Sequence, residues 1–262
     1  MILHHRVLGD RHPPESSVVI LHGIFGTSDN WQTFGKALAK THRVLLVDQR
    51  NHGQSPHSAE FSYPAMADDL KALLEKQQLL HSTVLGHSMG GKTAMYFAVQ
   101  YPELLSKLIV VDIAPRFYPV HHRKILAAFA AVTIEHLESR AEAEKQMAPL
   151  VSEKGVRQFL LKNLERTETG FAWKLNLPVI RDAIEAVGAA VPEGKVFEKP
   201  TLFVRGANSD YVQNEDKTLI EQHFPNAELV TIENAGHWVH AEQPEALLEA
   251  VTRFLEEQTV DR

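Results

Sequence analysis

Short apolar runs alternate with segments of helical spacing along this chain. The runs are rich in Val, Ile and Leu and are continuous, which is typical of strands buried on both faces of a sheet. They comprise residues 18–21, 44–47, 83–85, 108–113, 201–204 and 229–232. Helical spacing predicts helices over residues 66–80, 89–99, 212–224 and 244–256. This alternation predicts an α/β fold, in which helices cover a mostly parallel sheet.

The alternation is interrupted after residue 113 and resumes near residue 200. The intervening residues have helical patterns and no convincing strand. Helix breakers suited to chain crossings between two bodies stand at both ends of this stretch, namely Pro115, Pro119, Pro192, Gly194 and Pro200. The sequence therefore predicts a core of residues 1–113 and 198–262, with residues 114–197 inserted as a helical cap.

The composition of the chain excludes chemistry that needs a cysteine thiol and favours a small-molecule substrate. The chain has 262 residues, no cysteine and a net charge of -6, so disulfides, thiolate metal sites and a cysteine nucleophile are excluded. The net negative charge gives no indication of binding to nucleic acid or to an anionic membrane. The longest apolar stretch, residues 125–134, is shorter than the roughly 20 residues of a membrane span. We expect a cytoplasmic protein with no membrane span, no metal and no cofactor.

A nucleophile motif follows the third predicted strand. Residues 86–91 read Gly-His-Ser-Met-Gly-Gly, which is G-x-S-x-G between a strand and a helix, the context that this motif requires. The sharp turn would expose Oγ of Ser88, and its glycines would remove side chains that collide with neighbouring elements. A glycine-rich turn that merely caps a helix is the alternative, but the strand and helix around the motif favour Ser88 as nucleophile.

The loop after the first buried strand is placed to help form an oxyanion hole. It reads His22-Gly23-Ile24-Phe25-Gly26. Acyl transfer creates a tetrahedral oxyanion that two backbone N–H donors can stabilise. We predict Met89 N–H as one donor and Ile24 N–H, rather than Phe25 N–H, as the other.

One of fifteen histidines has the position expected of a general base. His237 follows the last buried strand and precedes the final helix, where a loop delivers side chains to the carboxyl ends of the strands. His240 is the nearest alternative. Two aspartates compete to orient the imidazole: Asp112 at the end of one strand and Asp210 just beyond the next.

These features together resemble the α/β-hydrolase superfamily over nearly the whole chain. Most members carry the acid at the fourth position of a G-x-x-D pattern after the strand that follows the cap. Here that position, counted from Gly206, is Ser209, and Asp210 is one residue out of phase. Other members place the acid after the preceding strand, which here is Asp112.

Ala-Asn-Ser at residues 207–209, paired with Val-Asp-Ile-Ala-Pro at residues 111–115, resembles the bacterial YbfF-like esterases. The resemblance implies a triad of Ser88, His237 and Asp112, with Ser209 supporting the hydrogen-bond network at its His237 end. A strand-end carboxylate that caps the first turn of the insertion is the alternative for Asp112. The resemblance also implies a small acyl ester or thioester as substrate, with acyl-CoA among the candidates.

The sequence says less about which residues line the substrate pocket and which alternative functions apply. Phe25 and Trp173 are candidate pocket residues. A basic run at residues 121–124 would suit the phosphates of coenzyme A, although a solvated helix face is the simpler interpretation. A dehalogenase or epoxide hydrolase would need an aspartate at position 88. A C–C bond hydrolase, a perhydrolase and a noncatalytic receptor stay open as alternatives.

Overall fold

The computed structural model of the chain describes residues 1–120 and 122–257, and a seven-stranded sheet forms its centre. The strand order is β1-β3-β2-β4-β5-β8-β9, and all neighbours are parallel except β1 and β3. The strands are β1 His5–Leu8, β2 Ser17–Leu21, β3 Arg43–Val47, β4 Ser82–His87, β5 Leu105–Val111, β8 Thr201–Gly206 and β9 Ala227–Ile232. The predicted fold class is confirmed. Strand β1 was not predicted from the sequence, because it is an edge strand with no fully buried residue.

Helices cover the sheet and fill the insertion. They are α1 Gln32–Leu38, α2 Tyr63–Gln77, α3 Met89–Gln100, α4 Arg123–Ala131, α5 Arg140–Met147, α6 Lys154–Leu161, α7 Leu177–Asp182, α8 Asp216–His223, α9 Val239–Glu242 and α10 Pro244–Glu256. Within the described ranges, no helix combines the length and the apolar character needed to cross a bilayer.

Each face of the sheet packs against its own helices. On β2, Val19 and Leu21 join a core cluster with α2 and α3, whereas Val18 and Ile20 join a second cluster with α1 and α10. Because both faces are covered, every position of β2 is buried. This is the physical reason for the continuous apolar runs in the sequence.

The insertion between β5 and β8 is mostly helical, but it also contains an antiparallel hairpin of β6 Leu164–Thr167 and β7 Gly170–Trp173. The sequence analysis missed this hairpin because only Leu164 of β6 is buried, so no apolar run marks it. The division into a core and a cap with these limits stays a prediction. His121 of the predicted basic run lies outside the described residues, while Arg123 and Lys124 begin α4.

The turn from β4 to α3 brings backbone segments into direct contact. A Cβ atom on Gly86 would lie 2.1 Å from the carbonyl oxygen of Gly90. One on Gly90 would lie 2.4 Å from the carbonyl oxygen of Leu21, at the end of β2. Both glycines are therefore needed for α3 to start this close to the sheet.

We expect Gly90→Ala to lower the free energy of unfolding by about 2 kcal/mol or more, because the added methyl group meets backbone that cannot rotate away. Gly155→Ala is the matched control: Gly155 is exposed near the start of α6, and nothing lies within 4 Å of its would-be Cβ. This control should raise stability by up to about 1 kcal/mol. Urea denaturation measures both, and a Gly90→Ala protein as stable as wild type would contradict the packing argument.

Candidate active site

Ser88 lies in the strained turn between β4 and α3. Its backbone has φ 54° and ψ -119°, a left-handed φ that a non-glycine residue adopts only where the surrounding structure enforces it. The side chain stands at the amino terminus of α3, where the helix dipole favours developing negative charge. Ser88 also lines two cavities, so it can meet a substrate from either.

Asp112 and His237 are hydrogen-bonded partners beside this turn. His237 Nδ1 lies 2.8 Å from Oδ2 of Asp112, which is completely buried. Since an ionised carboxylate only accepts, Nδ1 carries the hydrogen and Nε2 is left as the basic nitrogen. Asp112 has φ 52°, and Gly206 N–H donates to its Oδ1 at 3.0 Å. The carboxylate is therefore held in place by both backbone and side-chain contacts.

Ser209 occupies the position at which most of the superfamily carry the acid. Its hydroxyl donates to Oδ2 of Asp112, the same oxygen that receives His237 Nδ1–H. Ser209 thus joins the network at the aspartate oxygen that His237 also contacts. Asp210 is exposed, and within residues 1–120 and 122–257 it has no hydrogen bond or ion pair with His237.

The loop predicted to hold the oxyanion is fixed by two buried histidines. His52 Nε2 accepts from Phe25 N–H at 3.3 Å, and its Nδ1 donates to the carbonyl of Arg50 at 2.9 Å. His22 Nε2 accepts from Gln49 N–H at 3.0 Å. The N–H of Phe25 is therefore already engaged.

The two predicted donors remain available. Neither Ile24 N–H nor Met89 N–H has an acceptor among the described residues. Met89 is the first residue of α3, whose N–H has no partner within its own helix. A Cβ on Gly23 would lie 3.2 Å from Cβ of Ser88, which places the loop directly against Ser88.

His87, the residue before Ser88, was missed by the sequence analysis. Its Nε2 donates to the backbone carbonyl of His237 at 2.8 Å, and the two rings lie 4.7 Å apart. Tyr211 was also missed, although its ring stacks on that of His237 at 3.8 Å between centroids. His87 anchors the backbone of the histidine loop, and Tyr211 fixes the plane of the imidazole. The only sequence signal for either was its position beside a motif.

Burial keeps the histidines around the site neutral. It lowers the pKa of His52 and of His240 to about 3 and places the pKa of His87 well below its usual value. His240 stacks on Trp31 at 4.3 Å. Among the described residues, no three His, Asp or Glu side chains are grouped to hold a metal ion.

Two cavities meet at Ser88. The larger is lined by His237, Ile24, Phe25 and Trp238 among others. The smaller lies under the insertion, and its lining includes Met89, Lys92 and Tyr118. Phe25 lines the larger cavity, and its role as a substrate-pocket residue stays a prediction. Trp173 lines neither cavity and instead packs edge-on against Phe129, at 5.0 Å between ring centroids.

A mostly parallel sheet with a strained serine turn between a strand and a helix defines the α/β-hydrolase class of proteins. The family model described as alpha/beta hydrolase fold matches residues 16–244. The chain belongs to this family.

Similar proteins agree on the class of enzyme. Esterase YbfF of Escherichia coli is 39% identical, over 92% of this chain and 93% of that protein. The mouse (Mus musculus) protein named sn-1-specific diacylglycerol lipase ABHD11 is 42% identical, over 91% of this chain and 80% of its own length. A solved structure of a marine microorganism esterase superposes with a TM-score of 0.93 at 39% identity, covering 97% of this chain and 99% of that one. The prediction of a carboxylic ester hydrolase is confirmed.

The neutral buried histidines predict a loss of stability in acid. Because the pKa of His240 is about 3 in the folded chain and about 6.5 when unfolded, the unfolded chain binds more protons between these values. The free energy of unfolding therefore falls as the pH drops from 6.5 towards 3. Between pH 6 and 4.5, His240→Phe should reduce this slope by about 1 kcal/mol per pH unit.

Denaturant unfolding at several pH values measures this slope. His136→Gln, at an exposed histidine, is the control and should leave the slope as in the wild type. A wild-type slope in His240→Phe would show that His240 does not resist protonation in the folded chain.

Proposed function

We propose that the chain is a serine esterase that hydrolyses small acyl esters or thioesters through a covalent acyl-enzyme, with Ser88 as nucleophile, His237 as general base and Asp112 as the acid of the triad. The observation that carries the proposal is the bond from His237 Nδ1 to the buried carboxylate of Asp112, beside a strained serine. A carboxylate that merely capped the insertion would not require this partner.

The geometry supports a two-step acyl transfer. His237 Nε2 accepts the proton of Ser88 as Oγ attacks the acyl carbonyl, and Asp112 stabilises the imidazolium. The oxyanion receives hydrogen bonds from Ile24 N–H and Met89 N–H. His237 then gives its proton to the leaving alcohol or thiol, and water repeats the sequence on the acyl-enzyme. Both products leave with the enzyme unchanged.

Asp112 can act from β5 because β5 and β8 are adjacent and parallel. Their carboxyl ends reach the same edge of the sheet, so a carboxylate after either strand comes near the loop of His237. Ser209, after β8, donates to the carboxylate from the position usually held by the acid. Together with Gly206 N–H, this bond holds the carboxylate in one orientation.

The two cavities suggest where the parts of a substrate bind. His237 lines only the larger cavity, and the leaving group must receive its proton from His237. We therefore assign the leaving group to the larger cavity and the acyl group to the smaller. The larger cavity adjoins a surface groove through Phe159, Trp238 and His240, which leaves room for a bulky alcohol or for coenzyme A. The cytoplasmic location expected from the sequence stays a prediction.

Four variants assayed on short and longer acyl nitrophenyl esters and acyl-CoAs test the triad. Ser88→Ala should lower kcat by about 10⁴-fold or more, and Asp112→Asn by about 10³- to 10⁴-fold, because the wrong tautomer of His237 is then favoured. Ser209→Ala removes one charge-assisted bond and should cost about tenfold. Asp210→Asn, at the exposed neighbour, is the matched control and should stay within about twofold of wild type.

Labelling with a fluorophosphonate separates loss of chemistry from loss of fold. Wild type should be labelled at Ser88, and Ser88→Ala should not. An inactive Asp210→Asn beside an active Asp112→Asn would make the assignment of the acid wrong. A folded wild type that neither hydrolyses any ester nor reacts with the reagent would support a receptor in place of an enzyme.

A further inference from the structure

Lys92 is a buried lysine that the proposed mechanism does not use. It lies on α3, four residues after Ser88, is 1% exposed and lines the smaller cavity. Its Nζ donates to the carbonyl oxygens of Arg116 and Ala189, the latter at 2.9 Å. An ammonium group has three N–H donors, so two carbonyls leave one donor for another partner.

No carboxylate balances this charge. Within residues 1–120 and 122–257, no Asp or Glu oxygen lies within 4 Å of Lys92 Nζ. The nearby Asp216 is paired with Arg116 at 2.9 Å. Burial and the charge of Arg116 lower the pKa of Lys92 to about 7, while Asp216 opposes them. A buried cation without a counter-ion is costly unless something compensates it.

The other polar groups of the smaller cavity already have partners. Tyr63 OH donates to the carbonyl of Val187 at 2.6 Å, and Tyr118 OH donates to the carbonyl of Tyr211. Burial raises the pKa of both phenols, so they stay neutral. Lys92 can therefore offer a positive charge to a ligand in this cavity.

The spacing between Lys92 and the nucleophile limits what can lie between them. Residues four apart on a helix are stacked one turn apart, about 6 Å along its axis. An acyl group bound to Ser88 can therefore bring its far end to Lys92 only if it is short.

We infer that Lys92 determines acyl specificity: the smaller cavity accepts a short acyl group that ends in a carboxylate, and Lys92 pairs with that carboxylate. The favoured substrates are monoesters of short dicarboxylic acids. This inference rests on the proposed function, since it needs the acyl group to bind on the Lys92 side of Ser88.

A purely structural role for Lys92 makes a different prediction. Its two carbonyl partners lie at the two ends of the insertion, so it could serve only to hold the insertion to α3. Tyr96, one turn further along α3, makes the same kind of contact, because its OH donates to the carbonyl of Ala190 at 2.6 Å. Tyr96 does not line the cavity. Tyr96→Phe is therefore the control, because it removes one hydrogen bond between α3 and the insertion and leaves the lining of the cavity unchanged.

The test compares substrates that differ only in a terminal carboxylate. We would measure kcat/KM for ethyl hydrogen succinate against ethyl butyrate, and for ethyl hydrogen glutarate against ethyl pentanoate, from the ethanol released. Wild type should prefer the carboxylated ester of at least one pair by about tenfold or more. Lys92→Met should bring that ratio to one or below, and Tyr96→Phe should keep it. The wild-type ratio is informative even if Lys92→Met does not fold.

The outcomes separate this inference from the proposed function. If wild type hydrolyses the neutral esters with no preference for a carboxylate, the inference about Lys92 is overturned and the esterase stands. The same holds if Lys92→Met keeps the wild-type ratio, or if Tyr96→Phe loses it equally. If wild type hydrolyses none of the four esters and fails to react with the fluorophosphonate, the proposed function falls and the inference falls with it.

Discussion

The contact between the start of α3 and the end of β2 fixes the geometry of the whole site. Gly90 allows the helix to approach the carbonyl oxygens of Leu21 and His22. Ser88 is then forced into a positive φ, because the chain must reverse from strand to helix in one residue. The same approach brings the loop after β2 against Ser88, so Ser88 lies close to the Ile24 and Met89 N–H groups, which have no acceptor among the described residues. The backbone contact between α3 and β2 fixes the position of Ser88, and the other side chains of the site are arranged around it.

The histidines of this site differ in role because their ring nitrogens have different hydrogen-bond partners. His22 and His52 each use one ring nitrogen as acceptor of a backbone N–H and the other as donor to a carbonyl. That pairing requires the neutral ring, and burial lowers the pKa of both side chains. They therefore hold the loop without competing for a proton. His237 differs because its Nδ1 meets a carboxylate, which leaves Nε2 free to exchange a proton with a reacting group.

The sequence was most informative where a residue's environment is local. The strands β2 to β5, β8 and β9, helix α10 and the serine turn follow from runs and motifs only a few residues long. The hairpin of the insertion did not, because its strands are short and mostly exposed. Ser209 could be located but not its partner, since the distance from its hydroxyl to Asp112 depends on how β5 and β8 pair. Tyr211 and His87 come into contact with His237 only in the folded chain, so no spacing in the sequence predicted these contacts.

Hydrogen bonds from α3 link the insertion to the smaller cavity. Lys92 and Tyr96 on α3 bond to Ala189 and Ala190 at the end of the insertion, and Lys92 also bonds to Arg116 at its beginning. Of these residues, Lys92 also lines the smaller cavity. Neither Lys92 nor Tyr96 lines the larger cavity, which adjoins a surface groove. Under the proposed assignment of the acyl group to the smaller cavity, a substitution within the insertion should disturb the selection of the acyl group more than that of the leaving group, because Lys92 joins that cavity to both ends of the insertion.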